Sequence, residues 1–397
     1  MTNFKACTFA GVVVEPQTKI GEMKKLCFVA TIPAAVYAFL RGHIRASAKK
    51  WPVKIISNPF GAELLSDLDA QFIPLAIERK PSPRRDLLTL IQLVILFRRE
   101  HFDLVHSIMP KSGLLSMLAA CLAGVPHRMH TFTGQVWANK RGWKRCVLKM
   151  FDKLIVSFAT HILVDSFSQL DFLVSEGILT QGKGMVIGHG SICGVDPDRF
   201  YPDAQTKSIV RQKLGINQNA TVLLFLGRLN RDKGILDLAA AFAEISRYKP
   251  EAVLLLVGAE EEVPFTRIQE ICGTGRNQLR RVSFTPNPER YMAAADIFCL
   301  PSYREGFGQV IIEAAASGVP TVASRIYGIT DAVEEGKTGL LFPAGNVAVL
   351  TKTLLTLIED QALRQKMGVA ARLRALELFA SENITRELVD LYEEVMA

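Results

Sequence analysis

Two kinds of hydrophobic pattern alternate along this chain. Short, apolar, often β-branched runs occur in the first half as KKLCFVAT (24–31), PVKIISN (52–58), FDLVHSI (102–108), HRMHTFT (127–133), HILVDS (161–166) and GMVIGHG (184–190). The second half repeats them as TVLLFLGR (221–228), AVLLLVGA (252–259), VSFTP (282–286), DIFCLPS (296–302), PTVASR (320–325) and GLLFPA (339–344). Longer amphipathic stretches separate most of them, SGLLSMLAACLAG (112–124) being one. The short runs read as strands and the longer stretches as helices. Regular alternation of the two predicts parallel sheets covered by helices on both faces. Because the series occurs twice, the expected fold is α/β, with two doubly wound, Rossmann-like domains. Ligands of such sheets bind beyond the carboxyl ends of the strands, so two facing domains predict a single cleft between them.

The break between the series falls at GVDPDRFYPDAQ (194–205), rich in Pro, Asp and Gly. It separates a first domain over 23–200 from a second over 201–379. A closing helix over 380–397 follows, positioned to pack back on the first domain. Met23 opens MKKLCFVAT, which reads as a natural first strand, so residues 1–22 are an extension or follow a misassigned start.

Composition narrows the classes. Of the 397 residues 49% are hydrophobic, enough for a core in each half. No apolar run approaches the ~20 residues needed to span a bilayer; the longest, LLTLIQLVILF (87–97), contains Gln92. The 7 cysteines form no CxxC pair and no cluster with histidines, which argues against disulfides or zinc and for a reducing cytoplasm. Residues 1–200 carry 25 Lys and Arg against 15 Asp and Glu, or +10; residues 201–397 carry 22 against 24, or −2, giving the formal +8. A basic first half predicts an anionic partner: nucleic acid, an anionic membrane surface or a lipid diphosphate. No helix-turn-helix, RNA-binding signature or aromatic stacking platform supports nucleic acid.

The sharper chemistry lies in the second half. LLFLGRLNRDKG (223–234) ends a strand and then presents Arg228 and Lys233 ahead of a helix. Arg binds phosphate bidentately and Lys as a point charge, so the pair is a candidate diphosphate clamp, or else two solvated loop cations. DIFCLPSYREGFGQVIIE (296–313) places Glu305 just past a strand. Gly306 and Gly308 let the backbone approach a ligand, and a helix beginning near Gly308 offers unpaired N–H groups to phosphate oxygens. Glu313 lies about one turn into that helix. Two such carboxylates accept from the vicinal hydroxyls of a sugar and a ribose; the alternative is a capping acid and a solvated helix face.

Taken together, GRLNRDKG, the E-x7-E spacing of Glu305 and Glu313 in EGFGQVIIE, and ASGVPTVASRIYGITDAVEEGKTGLLFPAGN (316–346) resemble the retaining glycosyltransferases of family 4. The resemblance is strong over 200–360 and looser over 23–200, and it implies the GT-B fold. It implies that Glu305 contacts the donor sugar, that Glu313 holds the ribose hydroxyls, and that Arg228 and Lys233 stabilise the leaving diphosphate. Arg228, Lys233 and Glu305 are then the catalytic set, with Gly227, Gly306, Phe307, Gly308 and Glu313 binding the donor. Cations fixed where charge develops act more strongly than the same cations in water. They remove the need for a divalent metal, so no metal and no resident cofactor are expected, and the nucleotide sugar is a co-substrate. D-x-D matches at 67–69 and 196–198 fall in an early helical or loop segment and in the linker, and are read as fortuitous.

Acceptor residues are expected in the first half. ATIPAAVYAFLRGH (30–43) lacks the glycine pair that many relatives carry after their first strand. HSIMPKSG (106–113) puts Lys111 in a loop ahead of a helix, where it holds an acceptor phosphate or is simply solvated, and His106 in or at the end of a strand. HRMHTFTGQVW (127–137) is similar to the family's T-x-H-G stretch, with Thr133 in the place of the histidine and His130 three residues earlier. His130, Thr133, Gly134 and Gln135 are therefore candidate cleft liners, without the histidine's role. WANKRGWKRCVLKMFDKLIVSF (137–158) and RRDLLTLIQLVILFRRE (84–100) interleave basic and apolar residues. Each is an amphipathic helix with a solvated charged face or a surface for an anionic bilayer; both lie on the basic half, which favours peripheral membrane contact.

The sequence is thus read as a metal-independent retaining glycosyltransferase. It would move a hexose or N-acetylhexosamine from a nucleotide diphosphate donor, UDP-linked, to a polyprenyl-diphosphate-linked saccharide in surface polysaccharide assembly, capsule or lipopolysaccharide. The subfamily resembled is that of bacterial undecaprenyl-linked saccharide hexosaminyltransferases. The expected location is cytoplasmic, at the inner face of the cell membrane. Two rivals share the scaffold: a UDP-sugar epimerase, which needs no acceptor, and a non-catalytic protein, which would have no use for the clamp.

Overall fold

The apolar runs become two all-parallel sheets in a computed structural model that describes residues 23–78 and 81–397. The first sheet holds β1 (Leu26–Val29), β2 (Val53–Ser57), β3 (Gln71–Pro74), β4 (Leu104–Ile108), β5 (His127–Phe132), β6 (His161–Val164) and β7 (Gly184–Met185), in the order β3-β2-β1-β4-β5-β6-β7. The second holds β8 (Val222–Leu226), β9 (Val253–Val257), β10 (Leu279–Val282), β11 (Ile297–Leu300), β12 (Thr321–Ser324) and β13 (Gly339–Phe342), in the order β10-β9-β8-β11-β12-β13. Strands such as β1 and β9 are buried along their whole length, as helices on both faces require. Strand order reverses between β1 and β4 and between β8 and β11, and these two switch points place the crevices where loops gather.

Two strands depart from the sequence reading. β3 has no continuous apolar run, because an edge strand with half-exposed residues needs none. β10 ends where VSFTP begins: its pairing from Leu279↔Leu254 to Val282↔Val257 leaves Ser283 to Pro286 beyond the strand. The Pro110–Ala123 helix is less amphipathic than expected, because it lies between the Pro83–Glu100 and Gly142–Phe158 helices and is buried nearly all round.

The chain crosses between the domains twice, side by side. Val195 N–H donates to Phe379 O (2.7 Å), and Ser381 N–H donates to Val195 O (2.9 Å). The Ser381–Met396 helix then returns to the first domain and packs on the Arg41–Ala48 helix. Its Tyr392 is fully buried and hydrogen-bonds His106 Nδ1, whose Nε2 meets Thr131 Oγ1 at 2.7 Å. Burial holds the His106 imidazole at about 3, so it is neutral. The Ala204–Lys213 helix belongs to the second domain: Arg211, 1% exposed, pairs with Asp296 (2.6 Å) and donates to the carbonyls of Ala294, Gln218 and Ala220.

The two domains meet through a set of polar contacts. Ser166 Oγ donates to Gly306 O (2.9 Å), Gly328 N–H to Ser168 Oγ (2.7 Å), Ser191 Oγ to Gln309 Oε1 (2.6 Å), and Gln309 Nε2 to Gly194 O (2.6 Å). Ser168 also bonds Asp331, and the Phe172 and Tyr327 rings stack at 4.3 Å. Each neutral hydrogen bond of this set contributes about 1 kcal/mol net.

Candidate active site

The residues of the clamp sit at the carboxyl ends of β8 and β11, neighbouring strands at the second switch point. After β8 the chain passes Gly227 and Arg228, and Asn230 then caps a short 3-10 turn, Arg231–Lys233, accepting Lys233 N–H at 3.0 Å. Gly234 ends this turn with φ +66; a Cβ there would lie 1.9 Å from Pro301 O, so the β8 and β11 loops touch backbone to backbone. That contact brings Lys233 Nζ to Glu305 Oε1 at 2.6 Å, where Ser302 Oγ also donates at 2.7 Å. Both partners of the ion pair are mostly shielded, with 22% and 13% of their side chains exposed.

Arg228 lies on the same loop, but its guanidinium grips Glu261, at 2.6 and 2.7 Å to the two oxygens, with Asn230 Nδ2 adding a third bond at 2.8 Å. Arg228 and Lys233 therefore each hold a carboxylate, an acceptor of the same kind as a phosphate oxygen.

Gly308 opens the Gln309–Ala316 helix in the left-handed conformation, φ +77, which a glycine adopts freely. Glu313 lies inside this helix. Burial pushes its carboxyl up to about 7, against the opposing pull of Arg199 and a hydrogen bond from Gln309.

Gly306 makes a close approach between the domains. A Cβ on it would lie 2.7 Å from Thr133 C, 2.8 Å from Asp165 Oδ2 and 2.9 Å from Gly134 N. Thr133 and Gly134, on the loop after β5, are thus pressed against the Glu305–Gly306 segment. Gln135 is buried beside them and accepts from Gln169 Nε2 at 3.0 Å.

Three expectations are corrected by this geometry. His130 does not line the cleft: alternation along β5 turns it under the Pro110–Ala123 helix, where Gly113 makes room for its ring. It hydrogen-bonds Ser107 Oγ (2.8 Å), and burial lowers its imidazole to about 3. Lys111 is not in a loop, because Pro110 already starts the helix; it pairs with Asp86 Oδ1 at 2.6 Å. The Phe307 side chain is a core contact rather than part of the cleft wall: it is 3% exposed and packs on Phe379, ring centroids 5.2 Å apart. Gly227 lies at the strand end, where its N–H donates to Val257 O (2.9 Å).

Sequence reasoning missed Glu261, Asn230, Ser302 and Asp165. Asn230 and Ser302 stand inside the stretches already singled out, each three residues from a partner, Lys233 and Glu305, whereas Glu261, in GAEEE after β9, meets Arg228 and Asn230 from more than 30 positions away with no local signal. Asp165 directly follows β6 at the domain interface, with Oδ1 lacking a partner among the described residues, and burial raises its carboxyl well above the usual range.

Comparison with known proteins places this arrangement in context. Residues 206–374 match the family model for glycosyl transferases group 1, and residues 45–187 match the glycosyl transferase 4-like domain. The capsular polysaccharide biosynthesis glycosyltransferase CapM of Staphylococcus aureus is 29% identical over 373 residues, 93% of this chain and 97% of its own. The UDP-Gal:alpha-D-GlcNAc-diphosphoundecaprenol alpha-1,3-galactosyltransferase of Escherichia coli is 27% identical over 77% of this chain and 79% of its own. Among solved structures, Anabaena Alr3699/HepE in complex with UDP and glucose superposes with a TM-score of 0.79 at 20% identity, over 94% of this chain and 100% of its own.

Proposed function

Since this chain belongs to the group 1 glycosyl transferases and has their GT-B fold, we propose that it moves a sugar from a UDP-linked donor to a lipid-linked saccharide during surface polysaccharide assembly. The observation that carries this reading is the Lys233–Glu305 pair at the second switch point, beside the Gly306–Thr133 approach of the two domains. The names of the two relatives above support the capsule setting and the lipid-diphosphate acceptor.

On this reading the donor diphosphate displaces the carboxylates from Arg228 and Lys233 and takes their place. Both bonds to Glu305 fall on Oε1, so Oε2 remains able to accept from a hydroxyl of the donor sugar. Glu313 accepts from the ribose, and the first N–H groups of the Gln309–Ala316 helix face the phosphates. The acceptor hydroxyl oxygen bonds to the anomeric carbon on the face from which the diphosphate departs, and its proton passes to the departing phosphate oxygen. The two cations stabilise the charge that develops there. No protein nucleophile and no divalent ion takes part.

Contact with an anionic bilayer through the Pro83–Glu100 and Gly142–Phe158 helices completes the proposal. Leu87, Leu88, Ile91 and Ile95 of the first, and Trp143, Met150, Phe151 and Leu154 of the second, are exposed. Among the described residues no helix is long and apolar enough to cross a membrane.

The test is consumption of UDP sugars with and without an undecaprenyl-diphosphate-linked saccharide, in excess chelator throughout. Turnover only with acceptor, and a retained anomeric configuration by NMR, are expected. Acceptor-free epimerisation would replace this reading with the rival one, and loss of turnover restored by Mg²⁺ would end its metal-free part.

A further inference from the structure

Beside the Lys233–Glu305 pair an open groove of ≈ 580 Å³ runs between the domains. Lys140 and Arg141 stand on its first-domain wall; Arg231, Asp232, Asp237 and Tyr303 stand on the other. Its two acids already have partners. Asp237 Oδ2 accepts the Tyr303 hydroxyl (2.6 Å), and Asp232 Oδ2 pairs with Arg304 (3.3 Å). Its three cations do not: Lys140, Arg141 and Arg231 are exposed and have no ion-pair partner among the described residues. With Asp232 offset by Arg304 and Asp237 held only by a neutral hydroxyl, the three cations still leave the groove with a net positive charge, which favours an anion.

That anion is distinct from the donor diphosphate, which has Arg228 and Lys233. The β8 loop turns Lys233 toward Glu305 and shows its neighbours Arg231, Asp232 and Gly234 to the groove. The first-domain wall leads straight into apolar surface. Trp143, two residues after Arg141, is 72% exposed and heads the open face of the Gly142–Phe158 helix. A ligand with an anionic head and an apolar tail matches both features.

We infer that this groove is the acceptor site for the diphosphate of a lipid-linked saccharide, held by Lys140 and Arg141 from one domain and Arg231 from the other. The inference rests on the transferase reading above. Because its cations come from both domains, the groove is complete only when they meet, which couples acceptor binding to the approach of the first domain to the Lys233–Glu305 pair of the second.

Calorimetric titration of inorganic pyrophosphate into UDP-saturated protein tests it directly. The wild type is expected to bind pyrophosphate, and K140Q/R141Q to bind it at least about tenfold more weakly with UDP affinity unchanged. R231Q, on the opposite wall, gives a second measure should the double variant fold poorly. In turnover, the double variant raises KM at least about tenfold for a lipid-diphosphate acceptor and leaves it unchanged for a phosphate-free glycoside acceptor. No pyrophosphate uptake by the UDP-saturated wild type, or equal uptake by wild type and variants, overturns the proposal. Failure of the wild type to bind UDP at all would instead count against the transferase reading.

Discussion

Lys233 is held in place by the group it would help in catalysis. Its ammonium meets Glu305, which is braced by Ser302, so K233A removes a cation while leaving the carboxylate a hydrogen-bonded position. Turnover at saturating donor is expected to fall by about 10²–10³-fold, with little shift in the urea unfolding midpoint; unchanged turnover would take Lys233 out of the clamp. Glu313 makes a pH-dependent prediction. On the proposed reading ribose hydroxyls donate to the ionised carboxylate, so affinity for a UDP sugar should climb as pH rises through about 7 and then level off, and E313Q should flatten the curve. Stability runs the other way for the same group. The folded state holds the Glu313 proton more tightly than the unfolded chain, so its contribution is full below the unfolded carboxylate value and is lost as pH rises through about 7. Equal pH profiles for wild type and E313Q would separate Glu313 from the donor.

Among the elements, the Pro83–Glu100 helix shows most clearly how one pattern serves two surfaces. Thr89, Leu93 and Phe97 face the sheet and are buried, while Leu87, Leu88, Ile91 and Ile95 form a second apolar stripe open to solvent. Exposed leucines scattered singly need no explanation, but stripes on two helices flanking one buried helix, amid basic residues, do. The protein is expected to float with vesicles containing phosphatidylglycerol and to be released by salt. I91E/I95E should weaken that binding at least about tenfold with little change in the thermal midpoint, because the two residues are already 48% and 62% exposed. Equal flotation with neutral vesicles, or no effect of the substitutions, would remove the membrane from the proposal. The same duality explains what could be read at this scale. Buried central strands such as β8 and β9 announce themselves as apolar runs, whereas edge strand β3, half-exposed, does not.

For the molecule as a whole, the proposed function depends on how closely the domains can meet. Gly306 has no left-handed backbone conformation to maintain; its role is room, with Thr133, Gly134 and Asp165 crowding the place of a Cβ. G306A should hold the domains apart by a fraction of an ångström or more while each still folds. A misplacement of about 1 Å costs on the order of 10²-fold in rate, so turnover should drop by about that factor while UDP, which the proposal assigns to the second domain, binds much as before. Wild-type turnover from G306A would mean that the closed arrangement is not the reactive one.

The sequence by itself determined what is local: the alternation that makes two parallel sheets, the loops that must follow β8 and β11, and the cations and acids those loops carry. These follow from side-chain period and chain connectivity, which act within a few residues. Only the tertiary structure decided which way each side chain turns and whom it meets. His130 and Thr133 are three residues apart, yet pairing of β5 sends the first under a helix and leaves the second against Gly306. Arg228 finds Glu261, Lys233 finds Glu305, and Tyr392 finds His106 across 33, 72 and 286 positions. Such contacts form because packing and closure bring distant backbone together, and no periodicity in the chain records them.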